Sequence, residues 1–453
     1  MAYDYIFDNL YILSLPPQAQ QTIDQTGPPY APNYLGNGGI RNVLVPTGTD
    51  AAAARAATSA WIADQDVPYS LTWTGSLQRQ FAKNYSFEVR YLATRGIHLL
   101  TQNRINRQNK VGNGLSGLPT FLTAPTQTQL NALTLDLDQI QARSNFEPRF
   151  AAAGFTNPGS IVAYLSNGNS TYHGASAQLV RRFAAGMQLT AAYTFSHLID
   201  DTTAEVNTTV LSPRRVEDFQ NLRNERADSA LDRRHRFVTS FIYEFPFFKN
   251  NDNRYVRTVA GGWSLAGTYI AEAGEKATVL SGIDSNLNGD SAGDRAIRNP
   301  NGVRGTGSTV TALCRITACG TPGAGPIVGY LADNPNAEYI RTGLGAISNS
   351  ARNTMPLPGI NNLDFSIFKN FRLGENRRIQ VRADFYNALN HPQYIPGSPN
   401  DVQPVTTATV GQINTLAAAN LSLSNPGAAT FNRADRVFLS NARFLQLALR
   451  FDF

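Results

Sequence analysis

A regularly spaced set of oxygen-bearing side chains is the pattern in this sequence that comes closest to a metal site. Alternate positions with carboxylate and amide oxygens are typical of Ca²⁺ loops, which bind the ion through oxygen atoms. The glutamate that an EF-hand needs at its twelfth position is replaced by Arg295, so the loop is not an EF-hand. A structural Ca²⁺ ion is one hypothesis, and an exposed turn rich in Asp and Asn is the alternative. The candidate ligands are Asp284, Asn286, Asn288, Asp290 and Asp294.

The only two cysteines, Cys314 and Cys319, are separated by four residues in a stretch rich in Gly, Thr and Pro. No histidine or further cysteine lies near them to complete a metal site. We interpret the pair as a small disulfide in an exposed loop, which would fit an oxidising compartment. Two unrelated free thiols are the alternative.

No group of residues has the spacing of a catalytic site. The tetrad from Asp232 to His235 could be mistaken for a kinase catalytic loop, but it begins a predicted strand and lacks the downstream Asn. The sequence therefore predicts that the chain is not an enzyme and has no cofactor besides the Ca²⁺ ion considered above. The histidines are scattered over different predicted strands and loops: His98, His173, His197, His235 and His391.

Composition excludes a transmembrane helix and argues against a nucleic-acid partner. Charged residues make up 16% of the chain, whereas soluble domains usually contain roughly 25%. The sequence has no run of about 18 apolar residues, which a spanning helix would need. The net charge of +6 comes from basic residues that occur singly or in pairs, so no basic tract forms for a phosphate backbone.

The strongest regularity is the alternation of apolar and polar residues, which places one set of side chains on each face of a β-strand. In the clearest case, Ile379, Val381 and Ala383 alternate with Arg378 and Gln380. Most of the alternating segments reach the roughly 9–11 residues that a tilted strand needs to cross a bilayer. Strands are predicted at residues 69–81, 85–99, 171–183, 187–196, 236–246, 261–272, 361–371, 377–389 and 445–453, with a tenth in residues 3–13.

The connections between these strands alternate in length. Short ones fall near residues 82–84, 184–186, 247–259 and 372–376, and aromatic residues flank each of them. Long ones span about residues 101–169, 200–232, 283–358 and 391–435. Short turns at one end, long loops at the other and aromatic girdles are typical of an outer-membrane β-barrel. The predicted fold is therefore an all-β, antiparallel transmembrane β-barrel in the cell outer membrane.

Several segments, in this order, resemble the Oar-like branch of the TonB-dependent outer-membrane receptors. The likeness extends from about residue 69 to the end of the chain. It also includes the closing sequence Leu447–Phe453, whose last aromatic is similar to the signal that the barrel assembly machinery reads in such barrels. The segments are Asn84–Leu99, Ser170–Asp201, Asp232–Pro246, Gly262–Ala273 and Pro358–Gln393.

This resemblance implies a roughly 22-stranded barrel with a plug inside it, driven by an inner-membrane TonB complex. The sequence would then hold the last nine or ten strands. Residues 1–68 would form a partial first strand and a long extracellular loop, and residues 69–453 the C-terminal portion of the barrel. The N-terminus shows neither a secretory signal nor a plug, so we expect the start of the protein to be missing.

The implied function is uptake or binding of a large nutrient. Partners would be outer-membrane lipid, the barrel assembly machinery, which would read Phe453, and the TonB complex through the missing part. A surface-exposed or soluble all-β adhesin or glycan-binding protein is the alternative, because a β-sandwich shows the same alternation. The residues expected to face the barrel lumen are Arg378, Gln380, Arg382, Asp384 and Arg450.

Overall fold

The computed structural model shows a long antiparallel sheet with a folded layer of loops at one end. No helix in the described ranges is long and apolar enough to cross a membrane. The structure describes residues 2–3, 59–61, 65–156, 160–201, 216–291, 293–372, 377–394, 421–438 and 440–453.

Ten strands form the main path of the sheet, here called the wall, and each pairs antiparallel with the strand that follows it in the chain. Two further short strands join it: Ser59–Trp61 pairs parallel with β4, and Ala227–Asp228 pairs with β5. The wall strands are β1 (Ala2–Tyr3), β2 (Tyr69–Phe81), β3 (Tyr85–Arg104), β4 (Val162–Ala184), β5 (Met187–Asp200), β6 (His235–Glu244), β7 (Trp263–Glu272), β8 (Ile360–Arg372), β9 (Arg378–Tyr386) and β10 (Phe444–Asp452).

The alternating segments of the sequence correspond to β2–β10, so the predicted antiparallel strands are confirmed. The segments predicted for β3 and β4 are too short. The two strands stay paired beyond the alternating residues, so β3 extends to Arg104 and β4 begins at Val162. Of the tenth predicted strand, residues 3–13, the structure describes Tyr3, which lies in β1, and the rest lies outside the described residues. Most of the predicted segment 1–68 also lies outside them.

The two faces of the wall differ in chemistry because directly opposite residues on neighbouring strands point to the same side. On β9 and β10, Val381 lies opposite Leu449 and Ala383 opposite Leu447. Large apolar side chains on this apolar face are widely exposed, and Leu447 reaches 76%. The other face, the polar face, carries charged and amide side chains from the same strands.

Consecutive wall strands are joined by short connections at one end and long ones at the other, as the sequence predicts. The short ones are residues 82–84, 185–186, 245–262 and 373–377. In the tightest, Ala185 and Gly186 both have positive φ, 51° and 76°. That is the type I′ turn that matches the twist of two paired strands. The end where these connections lie is the short-turn end.

The long connections are residues 105–161, 201–234, 273–359 and 387–443, and their described parts form the loop layer. It contains helices α1 (Gln127–Asn131), α2 (Leu137–Gln141), α3 (Pro148–Ala152) and α5 (Ala434–Val437) and a 3₁₀ turn at Leu222–Glu225, while α4 (Arg254–Val259) lies in a short connection. Its small sheets comprise Lys276–Ala277 with Met355–Pro356; Ile297–Arg298, Ala337–Ile340 and Val303–Ser308; and Val310–Cys314, Ile327–Ala332 and Thr120–Phe121.

The apolar core of the described chain lies in the loop layer and not in the wall. One cluster packs Met355 and Leu357 of the third long connection against Val437 and Phe438 of the fourth. A second packs Ile140 and neighbouring residues of the first connection against the third. The third connection therefore binds the first and the fourth into one folded layer, which the sequence analysis did not predict.

Candidate functional site

Five buried charged side chains, the clamp, hold the loop layer to the end of the wall. Arg295 lies 2.7 Å from Glu217 and 3.0 Å from Glu225. Arg352 pairs with Asp200, the last residue of β5, and lies 3.6 Å from Glu225. All five are at most 9% exposed.

The clamp carries three carboxylates and two guanidinium groups, so one negative charge is in excess. Burial raises the pKa of Glu225 even though Arg295 and Arg352 lie beside it. Arg352 also donates from Nε to the Glu225 carbonyl at 2.8 Å and from Nη2 to the Asp200 carbonyl at 2.9 Å. These contacts join the second and third long connections to the wall.

A polar cavity of about 310 Å³, the outer cavity, opens in the loop layer beside the clamp. Three long connections contribute to its lining, which is rich in amide and hydroxyl groups. Apolar contact comes from Val111, Ala346 and Ile347. Its polar side chains are Asn109, Asn113, Asn224, Asn286, Asn349, Ser285, Ser348, Ser350, Glu217, Asp218 and Arg295.

Asp218 is the carboxylate of the outer cavity that the described residues leave without an ion-pair partner. It is 5% exposed and accepts hydrogen bonds from the Gln220 backbone N–H at 3.0 Å and from the side chain of Asn113. Burial raises its pKa. By contrast, Glu217 is paired with Arg295 and accepts from Ser348 at 2.5 Å. The outer cavity thus offers amides, hydroxyls and one carboxylate to a ligand.

The Asp and Asn side chains of the predicted Ca²⁺ loop accept hydrogen bonds from the loop's own backbone. Asp284 accepts from the N–H groups of Asn288 at 3.0 Å and Gly289 at 2.8 Å, and Asn288 accepts from that of Asp290 at 2.8 Å. Gly289 has a φ of +90°, and a Cβ there would lie 3.3 Å from the Arg107 guanidinium. These are the hydrogen bonds of a turn rich in Asp and Asn. The turn is not exposed, as that alternative had it, because Asn286, Asn288, Asp290 and Asp294 are at most 7% exposed.

Asp294, at the end of this loop, is fully buried. Its Oδ1 accepts from Ser285 Oγ at 3.2 Å, whereas Oδ2 has no hydrogen-bond partner among the described residues. Burial raises its pKa well above the ordinary value, and the charges of Glu217 and Asp284 raise it further. Within the described ranges, the three aspartates do not bring one carboxylate oxygen each within 4.8 Å of one another. Ca²⁺ binding therefore stays a prediction.

His197, Asp228 and Asp232 do place ligand atoms within 4.8 Å of one another at the rim of the wall. His197 Nε2 lies 2.7 Å from Asp228 Oδ1. The Lys276 ammonium pairs with Asp228 and lies 3.2 Å from Asp232. Arg234 also lies 3.6 Å from Asp228 and 3.4 Å from Asp232. Because Lys276 and Arg234 together balance the two carboxylate charges, we interpret the group as an ion-pair cluster and not as a metal site.

The remaining histidines do not assemble around a nucleophile in the described residues. His173 and His235 each lie beside a tyrosine hydroxyl on the apolar face, at 2.7 Å from Tyr91 and 2.8 Å from Tyr193. His391 follows β9 and accepts at its backbone carbonyl from Asn387.

Cys314 and Cys319 form a disulfide bond. Cys314 ends the strand Val310–Cys314, which pairs with Ile327–Ala332 in the loop layer. The bond therefore closes the chain just beyond a paired strand, in the part of the molecule where the sequence placed an exposed loop.

The five residues predicted to face a lumen share the polar face of β9 and β10. Arg378 bonds Asp452 at 2.6 Å, and Arg450 reaches the same carboxylate at 2.7 Å. Gln380 bonds Asn370 of β8 at 3.0 Å. Arg382 bonds Asp384 at 2.5 Å, beside a cavity of about 360 Å³ on this face. Whether that face borders a lumen stays a prediction.

Phe453, the predicted assembly signal, is 93% exposed at the end of β10 and stacks on Phe451, with ring centroids 6.0 Å apart. Its recognition by another protein stays a prediction. The outer cavity and the clamp were not predicted, because their residues come from separate connections without periodicity. A local signal existed only for single helices, such as the capping pair Thr126 and Gln129 of α1.

A family model described as an outer membrane beta barrel domain matches residues 1–424. No curated protein is significantly similar in sequence.

Solved structures that align with this chain include the outer membrane transporter YddB from Escherichia coli, with a TM-score of 0.34 and 10% identity over 87% of this chain and 34% of that one. The FpvAI–pyocin S2 complex gives a TM-score of 0.31 and 9% identity over 86% and 27% of the two chains. P. aeruginosa FpvA bound to heterologous pyoverdines gives a TM-score of 0.31 and 8% identity over 86% of this chain and 28% of that one. The chain thus spans about a third of the length of these proteins or less.

Proposed function

The chain belongs to the outer membrane β-barrel domain family, and on this premise we propose that it forms part of a TonB-dependent receptor that takes up a polar nutrient through its outer loops. Family membership confirms the predicted fold class and the outer-membrane location. The TonB partner and the transported ligand are part of the proposal.

The orientation of the wall follows from the lengths of its connections. In outer-membrane barrels the short turns lie on the periplasmic side and the long loops outside the cell. On this orientation the loop layer and the outer cavity meet the external medium first. The polar face, with Arg378, Gln380, Arg382, Asp384 and Arg450, would line the path or contact a plug.

The observation that carries the proposal is the outer cavity. At about 310 Å³ it lies at the lower end of the roughly 300–1,000 Å³ usual for ligand pockets. Asn109, Asn113 and Asn224 can both donate and accept hydrogen bonds, as peptide groups do. Asp218 can bind a cation, and no aromatic side chain of the described residues lines the cavity for sugar stacking. A short peptide with a basic residue fits this chemistry best.

Two other functions fit less well. A soluble adhesin would have to keep Trp73, Leu77, Leu447 and Leu449 in water, each more than half exposed on one face. An enzyme would need an acid, a base and a nucleophile placed to act together. In the outer cavity Ser348 donates to Glu217 at 2.5 Å, but Glu217 is paired with Arg295, and no histidine of the described residues lines the cavity. We therefore propose that the chain is not an enzyme.

Peptide binding can be tested on the full chain in lipid nanodiscs by calorimetry with the peptide Ala-Lys-Ala, and with Ala-Gln-Ala and maltotriose for comparison. We expect Ala-Lys-Ala to bind most tightly. Asp218→Asn should weaken it about tenfold or more, because a hydrogen bond to a charged group is worth about 1.5–3 kcal/mol. Asp138→Asn, at an exposed position of α2, is the matched control. Tighter binding of maltotriose would instead support a glycan ligand.

The TonB part of the proposal has a separate test, which is to sequence the genomic DNA upstream of Met1. An in-frame plug and a TonB box would support it. A stop codon followed by an unrelated gene would remove TonB from the proposal and leave the peptide experiment unaffected.

A further inference from the structure

The connection between β6 and β7, residues 245–262, places large apolar side chains at the surface of the short-turn end. Phe247 is 62% exposed, Phe248 54%, Tyr255 81% and Val259 67%. Four such side chains in one connection are more than scattered surface residues, and groups of this kind usually mark an interaction site.

The C-terminal end of helix α4 lies over the apolar face of the wall. Lys369 is directly opposite Trp263 and Val381 in the ladder, so all three point to the apolar side. Lys369 Nζ donates to the carbonyls of Val259, at 3.1 Å, and Gly261. Trp263 Nε1 also donates to the Val259 carbonyl at 3.1 Å. The helix is therefore fixed beside the wall and not beneath its polar face.

This arrangement satisfies a buried cation on an apolar surface. Lys369 is 3% exposed, and its ammonium lies 5.6 Å from the Trp263 ring centroid and 5.0 Å from that of Phe371. The last carbonyls of a helix carry partial negative charge and lack partners within the helix. Lys369 thus gains acceptors, and α4 gains a fixed position.

Helix α4 has two chemically different sides. Tyr255 and Val259 are four residues apart and share one side of the helix, whereas Arg254 and Arg257 are three apart and share the other. Lys249 precedes the helix, and Asp252 is the one acidic residue within residues 245–262. The connection therefore combines exposed apolar groups with a net positive charge.

We propose that residues 245–262 bind the periplasmic surface of the outer membrane, with Phe247, Phe248, Tyr255 and Val259 inserted at the lipid boundary and the basic residues on anionic phospholipid headgroups. A short amphipathic helix with one aromatic and one basic side is suited to that interface. The apolar side continues the apolar face of the wall, and the positive charge complements anionic lipid. This inference depends on the orientation of the barrel and not on the ligand it takes up.

The position of the helix can be measured by spin-label accessibility in the full chain, reconstituted in vesicles of phosphatidylcholine and phosphatidylglycerol. Tyr255→Cys and Arg254→Cys place labels about 100° apart around α4, one on its apolar and one on its basic side, and the native disulfide leaves no other thiol to label. We expect oxygen, which concentrates in lipid, to relax the Tyr255 label more than a water-soluble nickel chelate does, with the reverse at Arg254. Equal nickel accessibility at both positions would overturn the proposal, because the helix would then lie in water.

The charge component is tested by comparing these vesicles with vesicles of phosphatidylcholine alone. The Tyr255 label should lie deeper when phosphatidylglycerol is present. Combined Lys249→Gln, Arg254→Gln and Arg257→Gln substitutions should abolish this difference. A depth that ignores lipid charge would overturn the assignment of anionic headgroups. The heat-dependent gel mobility of folded barrels verifies that each variant has folded.

Discussion

Replacing Arg352 with Met should release the loop layer from the end of the wall. The substitution keeps most of the buried alkyl volume but removes the guanidinium that pairs with Asp200 and contacts both the side chain and the carbonyl of Glu225. The two carboxylates are 5% and 1% exposed, so water cannot replace the lost partner without opening the structure. Removing one partner of a buried ion pair costs about 3–5 kcal/mol.

The predicted cost can be measured as the rate at which a protease cleaves the loops of the folded barrel. When opening is faster than cleavage, the rate follows the open population. A loss of about 3–5 kcal/mol then corresponds to an increase of roughly 10² to 4 × 10³-fold. Arg298→Met is the matched control, because Arg298 is 49% exposed and pairs with Glu338 at 3.1 Å. An exposed pair contributes about 0.2–1 kcal/mol, so its rate should rise by no more than roughly fivefold.

Equal cleavage rates for Arg352→Met and Arg298→Met would refute the idea that the clamp holds the loop layer. The origin of the effect can be checked with Asp200→Asn in the Arg352→Met background. If the cost comes from a buried carboxylate without a partner, the double variant should be cleaved more slowly than Arg352→Met alone. If the effects of the two substitutions on the free energy of opening simply add, the cost of Arg352→Met comes instead from lost packing.

Three further outcomes are expected. Burial raises the pKa of Asp294 well above 3.8, so the folded state binds a proton more readily than the unfolded state and the loop layer should gain stability as the pH falls from 7 towards 4. Melting followed by near-UV circular dichroism should show this gain, and Asp294→Asn should reduce it, with the remainder coming from Glu225 and Asp218, whose pKa values burial also raises. A calorimetric Ca²⁺ heat that is lost in Asp294→Asn would support the metal hypothesis. Replacing Cys314 and Cys319 with Ser should destabilise the hairpin by about 2 kcal/mol for so short a loop, seen as local proteolysis with the wall intact. Leu447→Arg should disfavour folding into vesicles by about 2–4 kcal/mol in urea titrations, and an equal cost for Gln446→Arg, on the polar face, would contradict the assignment of the two faces.

The wall strands were predictable because successive side chains along each strand point to opposite faces, which have different surroundings. Apolar and polar surroundings on the two sides impose a period of two on the sequence, and the nine alternating segments became strands. The predicted ends fail where that environment ends. Thr101 and Asn103 of β3 are each 2% exposed although both are polar. Apolar and polar residues therefore no longer alternate there, while the ladder continues to Arg104.

The loop layer was not predictable as a unit because its contacts join distant parts of the chain. Val111 packs in the same cluster as Tyr330, and no local pattern links them. Signals existed for individual pieces, such as the capping box of Asp136 with Gln139 at the start of α2 and Asn253 as the N-cap of α4. The outer cavity needs three connections at once, so the sequence alone could not reveal it.

On the proposed orientation, the packing of three long connections around shared apolar clusters has a consequence for how the cell is recognised from outside. Antibodies, phages and bacteriocins that bind such a surface would meet a discontinuous epitope, assembled from segments far apart in the sequence. An immune serum raised against one linear loop peptide should bind the denatured chain and fail on intact cells. A vaccine or phage receptor built on this protein would therefore require the folded barrel.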